Sequence, residues 1–397
     1  MFVELHIIQN FAPSNLNRDD TGAPKDCQFG GYRRARISSQ ALKRAIRMTF
    51  SKENLLPEER RAQRTKRVAG ALIERLVARG KDAAEAAAVV EAAIQGIGLS
   101  FEKPKEGDTE KKTQYLLFLG QREINALADV CLAHWDTLVD VAPNADAASE
   151  RDAKKAKKAN KAALPKQVQQ AVLDALDGRS ADVALFGRML ADLPEKNIDA
   201  ASQVAHAIST HRVATEFDFY TAVDDLKPDD TAGADMLGTV EFNSACFYRY
   251  SNIDLDQLVD NLGGDVDLAR ATVEAFLWAS IHAIPTGKQN SMAAQNPPSF
   301  VMAVVRDRGL WSLANAFVNP VAPAHDGDLI ERSVDALEAY WSNLVRVYGG
   351  ELRGTWCINV NPRELGPLEE LRVDTFEELV DAVVTAAFAE AGTGAAA

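Results

Sequence analysis

Val240-Glu241-Phe242-Asn243-Ser244-Ala245-Cys246-Phe247-Tyr248-Arg249-Tyr250 decides the fold class. Here a chain dominated by helical spacing changes to a period of two, with Val240, Phe242, Cys246, Tyr248 and Tyr250 on one face. Residues 213–220 make the same switch just upstream. Between the two runs lies Asp224-Asp225-Leu226-Lys227-Pro228-Asp229-Asp230, followed by Gly233 and Gly238. That polar stretch is too short for a domain and too long for a tight turn, so the pair reads as a protruding β-hairpin.

Working outward, residues 2–8 alternate as a strand and residues 10–20 read as a loop rich in Asn, Pro, Ser and Asp. Ser38 and Ser39 are good N-caps for a helix with Leu42, Ala45, Ile46 and Thr49 on one stripe and Lys43, Arg44 and Arg47 on another. Residues 57–185 read as helices throughout, broken at 104–107 and near Pro143, with an Ala/Lys-rich piece at 150–166 that has no apolar stripe. Downstream come a helix at 265–282, a strand at 300–306 and helices at 329–348 and 375–389. The expectation is an α+β fold with a split core and no internal repeat.

The 397 residues are 47% hydrophobic and 25% charged, which excludes a wholly disordered or fibrous chain. No uninterrupted apolar run of membrane-spanning length occurs, and the start has no basic-then-apolar leader, so a cytoplasmic protein with no membrane partner is expected. Cys27, Cys131, Cys246 and Cys357 are far apart, and of the six histidines only His206 and His211 are near neighbours. No metal site and no cofactor are expected.

Charge is distributed unevenly. Residues 1–79 carry 16 Lys or Arg against 8 Asp or Glu, a net of +8, so the total of −13 leaves −21 on the other 318 residues. Between Asp26 and Glu53 stand Arg33, Arg34, Arg36, Lys43, Arg44, Arg47 and Lys52 without one acid. Lys43 and Arg44 lie near a helix start, where the macrodipole disfavours cations. A capped N-terminus with free amides and flanking bases is a seat for phosphate; the alternative is a solvated face paired with acids elsewhere. A second cluster, Arg60, Arg61, Arg64, Lys66 and Arg67, follows Glu58 and Glu59 and can pair with them at helical spacing.

Catalytic signals are weak. Gly287-Lys288-Gln289 lacks the surrounding pattern of a nucleotide-phosphate loop. The acid pairs Asp19-Asp20, Asp224-Asp225 and Asp229-Asp230 suit polar turns better than a divalent cation. His206 and His211 have no third group at diagnostic spacing for general acid–base work. The aromatic signature of an RNA-recognition motif is also absent, so any RNA would be read through its phosphates, which carry no sequence information.

Several segments resemble a known family. Asn15-Leu16-Asn17-Arg18-Asp19-Asp20 is one. Lys25-Asp26 with Phe29-Gly30-Gly31 is another, as is Arg33-Arg34-Ala35-Arg36-Ile37-Ser38-Ser39-Gln40 running into Leu42-Lys43-Arg44-Ala45. Further matches are Gly187-Arg188-Met189, Ala205-His206-Ala207-Ile208 with Thr210-His211, Phe219 with Thr221 to Leu226, and Phe247-Tyr248-Arg249-Tyr250. Together they resemble the type I-E CRISPR Cascade backbone subunit, the CasC family of the RAMP superfamily. The resemblance implies a modified RNA-recognition (ferredoxin-like) palm, a helical fingers insertion and a protruding β-hairpin thumb. It places palm at residues 1–56, 171–200 and 241–397, fingers at 57–170 and thumb at 201–240.

The resemblance further implies a non-catalytic subunit of antiviral defence. Copies of it polymerise along CRISPR RNA, and each thumb displaces a base so that the guide stays available to target DNA. Other copies and the large, small, handle-binding and RNA-processing Cascade subunits are the implied partners. Carried onto this chain, Asn17, Arg18, Lys25, Ser38, Ser39, Gln40, Lys43, Arg44 and Arg47 lie along the RNA backbone, with Arg188, Met189 and Lys288 near the kinked nucleotide. Residues 150–166 and 393–397 carry no family inference. Two other readings stand beside this one: a RAMP-type endoribonuclease using His206 or His211, and a helical scaffold whose basic stripe binds protein.

Overall fold

The computed structural model describes residues 1–102, 110–142, 164–222, 236–325, 327–349 and 352–389. In chain order, β1 (Phe2–Ser14), β2 (Asp26–Phe29), β3 (Tyr32–Ile37) and α1 (Ser39–Lys52) precede a mainly helical stretch. That stretch holds β4 (Ala62–Thr65), α2 (Val68–Ala78), α3 (Ala83–Gly96), β5 (Leu117–Gly120), α4 (Gln121–Ala133), α5 (Trp135–Asp140), α6 (Lys166–Asp174) and α7 (Ala181–Phe186). The strands β6 (Ser202–Val204), β7 (Ala207–Ser209), β8 (Glu216–Ala222) and β9 (Met236–Asp254) follow, then α8 (Leu255–Asn261), α9 (Val266–His282) and α10 (Gln289–Met292). The chain ends on β10 (Phe300–Arg306), α11 (Leu329–Tyr348), β11 (Leu352–Asn359) and α12 (Phe376–Ala387). This is an α+β protein.

Two compact units form: residues 1–55, 202–255 and 270–397 make one, residues 56–201 and 256–269 the other. The first is built on an antiparallel sheet ordered β11-β10-β1-β9-β7-β3-β2, with β6 and β8 also paired to β9. β1 is an inner strand, and its partner β10 is buried along its whole length, as befits a strand covered on both faces. Ile8, Cys246, Tyr248, Phe300, Met302 and Val304 pack on one side against Val334, Leu337 and Trp341 of α11. The expected strand at residues 2–8 continues to Ser14 through a register shift after Phe11, so the start of the expected loop is strand.

A polar seam runs through this core. Glu4 Oε1 accepts hydrogen bonds from the Tyr250 hydroxyl and the Trp311 amide, both at 2.7 Å, and Glu4 Oε2 lies 2.7 Å from Arg306 Nε. The Arg306 guanidinium sits over the Trp311 ring at 4.0 Å. Beside it, the Tyr248 hydroxyl accepts from the Leu313 amide at 2.8 Å and is hydrogen-bonded to His6 Nδ1, 2.9 Å away. His6 is neutral: burial first, then the charge of Arg306, pulls its pKa down to about 3.

Gly30-Gly31 joins β2 to β3, with φ of 60° and 83° at the two central residues and Phe29 opposite Tyr32. Both positive φ values are those of a type I′ hairpin, which glycine adopts without strain. A Cβ at Gly30 would also strike the Val318 carbonyl oxygen.

The second unit departs from a purely helical reading of residues 57–185, because β4 and β5 pair within it. Its core gathers Leu72, Leu76, Val89, Val90, Leu119, Leu127 and Leu138. Val172, Leu176, Leu190 and Leu193 join that core, so residues 171–200, expected to belong with the sheet, fold with the helices. Among the described residues no helix is long and apolar enough to cross a membrane. The hairpin acids at 224–230 and most of the 150–166 segment lie outside the described residues.

Candidate nucleic-acid interface

The basic interval is knitted together by its backbone. Asn17 Oδ1 accepts the Ser38 amide at 2.8 Å, the Asn17 carbonyl accepts the Lys25 amide at 2.8 Å, and the Lys25 carbonyl accepts the Arg36 amide at 2.9 Å. Arg36 Nε donates to the Asp26 carbonyl at 3.1 Å. Ser38, not Ser39, caps α1: its backbone is extended and its hydroxyl accepts the Ala41 amide at 3.3 Å. Loop, hairpin and helix start therefore converge on one place. The first turn of α1 holds no acid.

On α1, Leu42, Ile46, Thr49 and Phe50 are buried, as the apolar stripe requires. Gln40 and Arg44 are exposed, and Lys43 and Arg47 are half-buried. Arg18 is exposed on the loop that a bridge to Pro24 closes, and Asp19 forms the turn beneath it by accepting from the Thr21 hydroxyl and the Thr21 and Ala23 amides. Arg33 pairs with Asp26 on the hairpin surface.

Lys288 joins the same unit in a left-handed conformation, φ 51°. Gly287 before it presses on the Asn15 and Leu16 carbonyls, leaving no room for a Cβ. Gly287→Ala is expected to cost about 1–3 kcal/mol, because one of two backbones has to move; urea denaturation measures it.

His206, between β6 and β7, completes this cluster. Its Nδ1 is 3.1 Å from Arg36 Nη1 and 3.4 Å from the Ser39 amide nitrogen. Both partners are donors, so Nδ1 is unprotonated. Partial burial and the charges of Arg36 and Lys25 lower its pKa from the usual 6.5. His211 is different, since its Nδ1 donates to the Arg212 carbonyl at 2.8 Å and its Nε2 accepts the Cys246 amide at 3.2 Å. Both ring nitrogens serve the backbone.

Two arginines of the expected set are structural. Arg34 is buried, with Nη1 donating to the Ser209 (3.1 Å) and Thr210 (2.8 Å) carbonyls and Nη2 to those of Phe317 (2.6 Å) and Val318 (3.2 Å). A phosphate cannot reach it. Arg188, in the second unit, is also buried, donating to Glu123 Oε1 at 2.6 Å and to the carbonyls of Phe118, Leu176 and Lys196. A phosphate-contact reading of these two gives way to an anchoring one.

Met189 is 82% exposed on a stiff support. Arg188 and Ile198 exchange backbone hydrogen bonds at 2.9 Å, Leu190 N–H donates to Asn197 Oδ1, and Leu190 is buried. Four of the five residues in the second basic cluster find partners within its unit: Arg60 with Asp265, Lys66 with Glu102, Arg67 with Glu110, and Arg64 over the Phe118 ring. The sequence reading passed over Phe217, which is an exposed aromatic of β8 like Phe219; their alternation with Asp218 in a polar hairpin was the available signal.

A family model described as "CT1975-like protein" matches residues 3–384. A chain from the structure of a "CRISPR RNA-guided surveillance complex, pre-nicking" is similar at 33% identity and TM-score 0.83, covering 98% of this chain and 100% of that one. A chain of a second "CRISPR RNA-guided surveillance complex" is similar at 29% identity and TM-score 0.73, covering 97% of this chain and all of that one. No curated protein matches the sequence significantly. With a family match over nearly the whole of its length, the chain belongs to the CT1975-like family of Cas proteins.

Proposed function

We propose that this chain is a non-catalytic backbone subunit of a Cascade surveillance complex, of the type I-E CasC kind, that binds CRISPR RNA through its phosphates. The observation that carries the reading is the convergence of Asn17, Lys25, Arg36 and Ser38 at an acid-free helix start flanked by Lys43, Arg44 and Arg47. A helix start and fixed positive charge in one place suit a phosphodiester and ignore base identity. The similar chains come from RNA-guided complexes, which supports the same ligand class.

In this reading Asn17, Arg18, Lys25, Arg33, Arg36, Ser38, Ser39, Gln40, Lys43, Arg44, Arg47 and Lys288 form the RNA track. Met189 is an apolar wedge, and the β8–β9 hairpin with Phe217 and Phe219 is the thumb. Further copies of the chain, the other Cascade subunits and, through the guide, target DNA are its partners. The His211 form of the ribonuclease alternative is disfavoured, because both ring nitrogens of His211 are committed to backbone partners.

The test is binding of the full chain to labelled CRISPR RNA and to an unrelated RNA of equal length across a salt series, with products run on a denaturing gel. Both RNAs are expected to bind with similar affinity and to remain intact, log K falling by about 0.7 per phosphate neutralised per decade of salt. Replacing Lys43, Arg44 and Arg47 by Ala together is expected to weaken both RNAs roughly 100-fold and to flatten the salt slope by about 2. Cleavage by the wild-type chain, or a loss confined to one RNA, refutes the proposal.

A further inference from the structure

We propose that His206 is a proton-linked RNA contact: its Nδ1 holds the place of a phosphate oxygen at the start of α1, and the ring takes up a proton when the phosphate arrives. The inference rests on the RNA reading above and concerns how that site exchanges one partner for another.

The geometry is that of a stand-in. The Ser39 amide is the first donor inside α1, and Arg36 lies two residues before the Ser38 cap; both donate to the same imidazole nitrogen, at 3.4 and 3.1 Å. One acceptor gathering a helix-start amide and a guanidinium is the arrangement that a phosphate oxygen adopts. The Ser39 amide has a single proton, so a phosphate oxygen that takes it displaces Nδ1 from the helix start, while Arg36 has further N–H groups to offer the same phosphate. Once displaced, the ring has an unoccupied basic nitrogen beside an anion.

Charge then reverses its preference. In the RNA-free chain the charged groups facing the ring are Arg36 of β3 and Lys25 of the loop before β2, both positive, and after partial burial they lower its pKa. A phosphate between them cancels that repulsion and favours the imidazolium, which becomes a third donor to it. The proton comes from solvent, and no bond to phosphorus changes. His206 is exposed, so solvent reaches it.

Linkage gives the sign. A group whose pKa is higher in the complex than in the free chain makes binding tighter as pH falls between the two values. Oligouridine is the probe, because its bases do not titrate across the range. From pH 8 to pH 5.5 the full wild-type chain is expected to bind it roughly tenfold more tightly. Calorimetry near pH 6.5 in two buffers of different ionisation heat is expected to register proton uptake. His206→Gln, which keeps an acceptor and a donor without titrating, is expected to bind with an affinity that no longer changes with pH and without proton uptake.

A second measurement needs no variant: the NMR titration of the His206 ring in the wild-type chain, whose pKa is expected to rise when oligouridine is added. A pH slope that persists in His206→Gln, or a ring pKa that stays put on binding, overturns this proposal and leaves phosphate binding intact. Absence of oligouridine binding at every pH overturns both readings.

Discussion

Glu123→Ala is expected to destabilise the helical unit by about 3–5 kcal/mol, the cost of leaving a buried guanidinium without its counter-charge. Glu123 and Arg188 are almost completely buried, and the carboxylate also accepts the Gly120 amide at 2.8 Å and the Gly178 amide at 2.9 Å. It sits in the first turn of α4, where the helix dipole favours a negative charge. Trp135 is the only tryptophan of this unit, so its fluorescence in urea follows the transition. Glu123→Ala combined with Arg188→Met is expected to recover a large part of the loss, since the pair's removal strands no charge. Met189→Ala, one residue away and exposed, is expected to shift stability by less than about 0.5 kcal/mol. An unchanged midpoint in the Glu123→Ala chain would falsify the anchoring role given to Arg188.

Acid is expected to destabilise the sheet unit before most carboxylates titrate, because unfolding lets His6 take up the proton that the core denies it. Its pKa is 6.5 when unfolded and about 3 when folded. The folded value is the depressed one, so the contribution is complete above pH 6.5 and is lost as pH falls toward 3. At about 1.4 kcal/mol per pH unit, His6 alone removes roughly 3 kcal/mol between pH 6.5 and 4.5, of a total near 5 kcal/mol. His206 and His211 have lowered pKa values and act in the same direction. Denaturant titrations at half-unit pH steps measure the slope, and His6→Gln is expected to make it shallower over that window. A wild-type curve that stays flat from pH 6.5 to 4.5 contradicts the neutral, buried imidazole.

What the sequence disclosed follows from which forces are local. The period-two run at 240–250 belongs to β9, and the amphipathic stripe at 39–52 became α1, because periodicity reports directly on which side meets the core. The hairpin at 26–37 escaped notice although Gly30-Gly31 is a strong turn signal, since its flanks are arginine-rich and do not alternate cleanly. β4 and β5 escaped for another reason: they pair across more than fifty residues, and each is only four residues long. At the site, the charge run located the right surface but could not sort its members. Arg33 and Arg34 are adjacent, yet one is exposed and the other buried under four carbonyls contributed by residues 209, 210, 317 and 318. Only tertiary structure brings those carbonyls to the hairpin.

Arg34 and Gly30 together stake the β2–β3 hairpin to the segment around Val318, and the amide ladder from Asn17 to Arg36 ties it to α1. The backbone of the proposed RNA track is thus ordered when the protein folds, and little backbone entropy remains to be lost when RNA arrives. Binding to such a surface is a rigid-body encounter. Its association rate is set by electrostatic steering rather than by rearrangement, so salt slows capture of the RNA as well as weakening the complex.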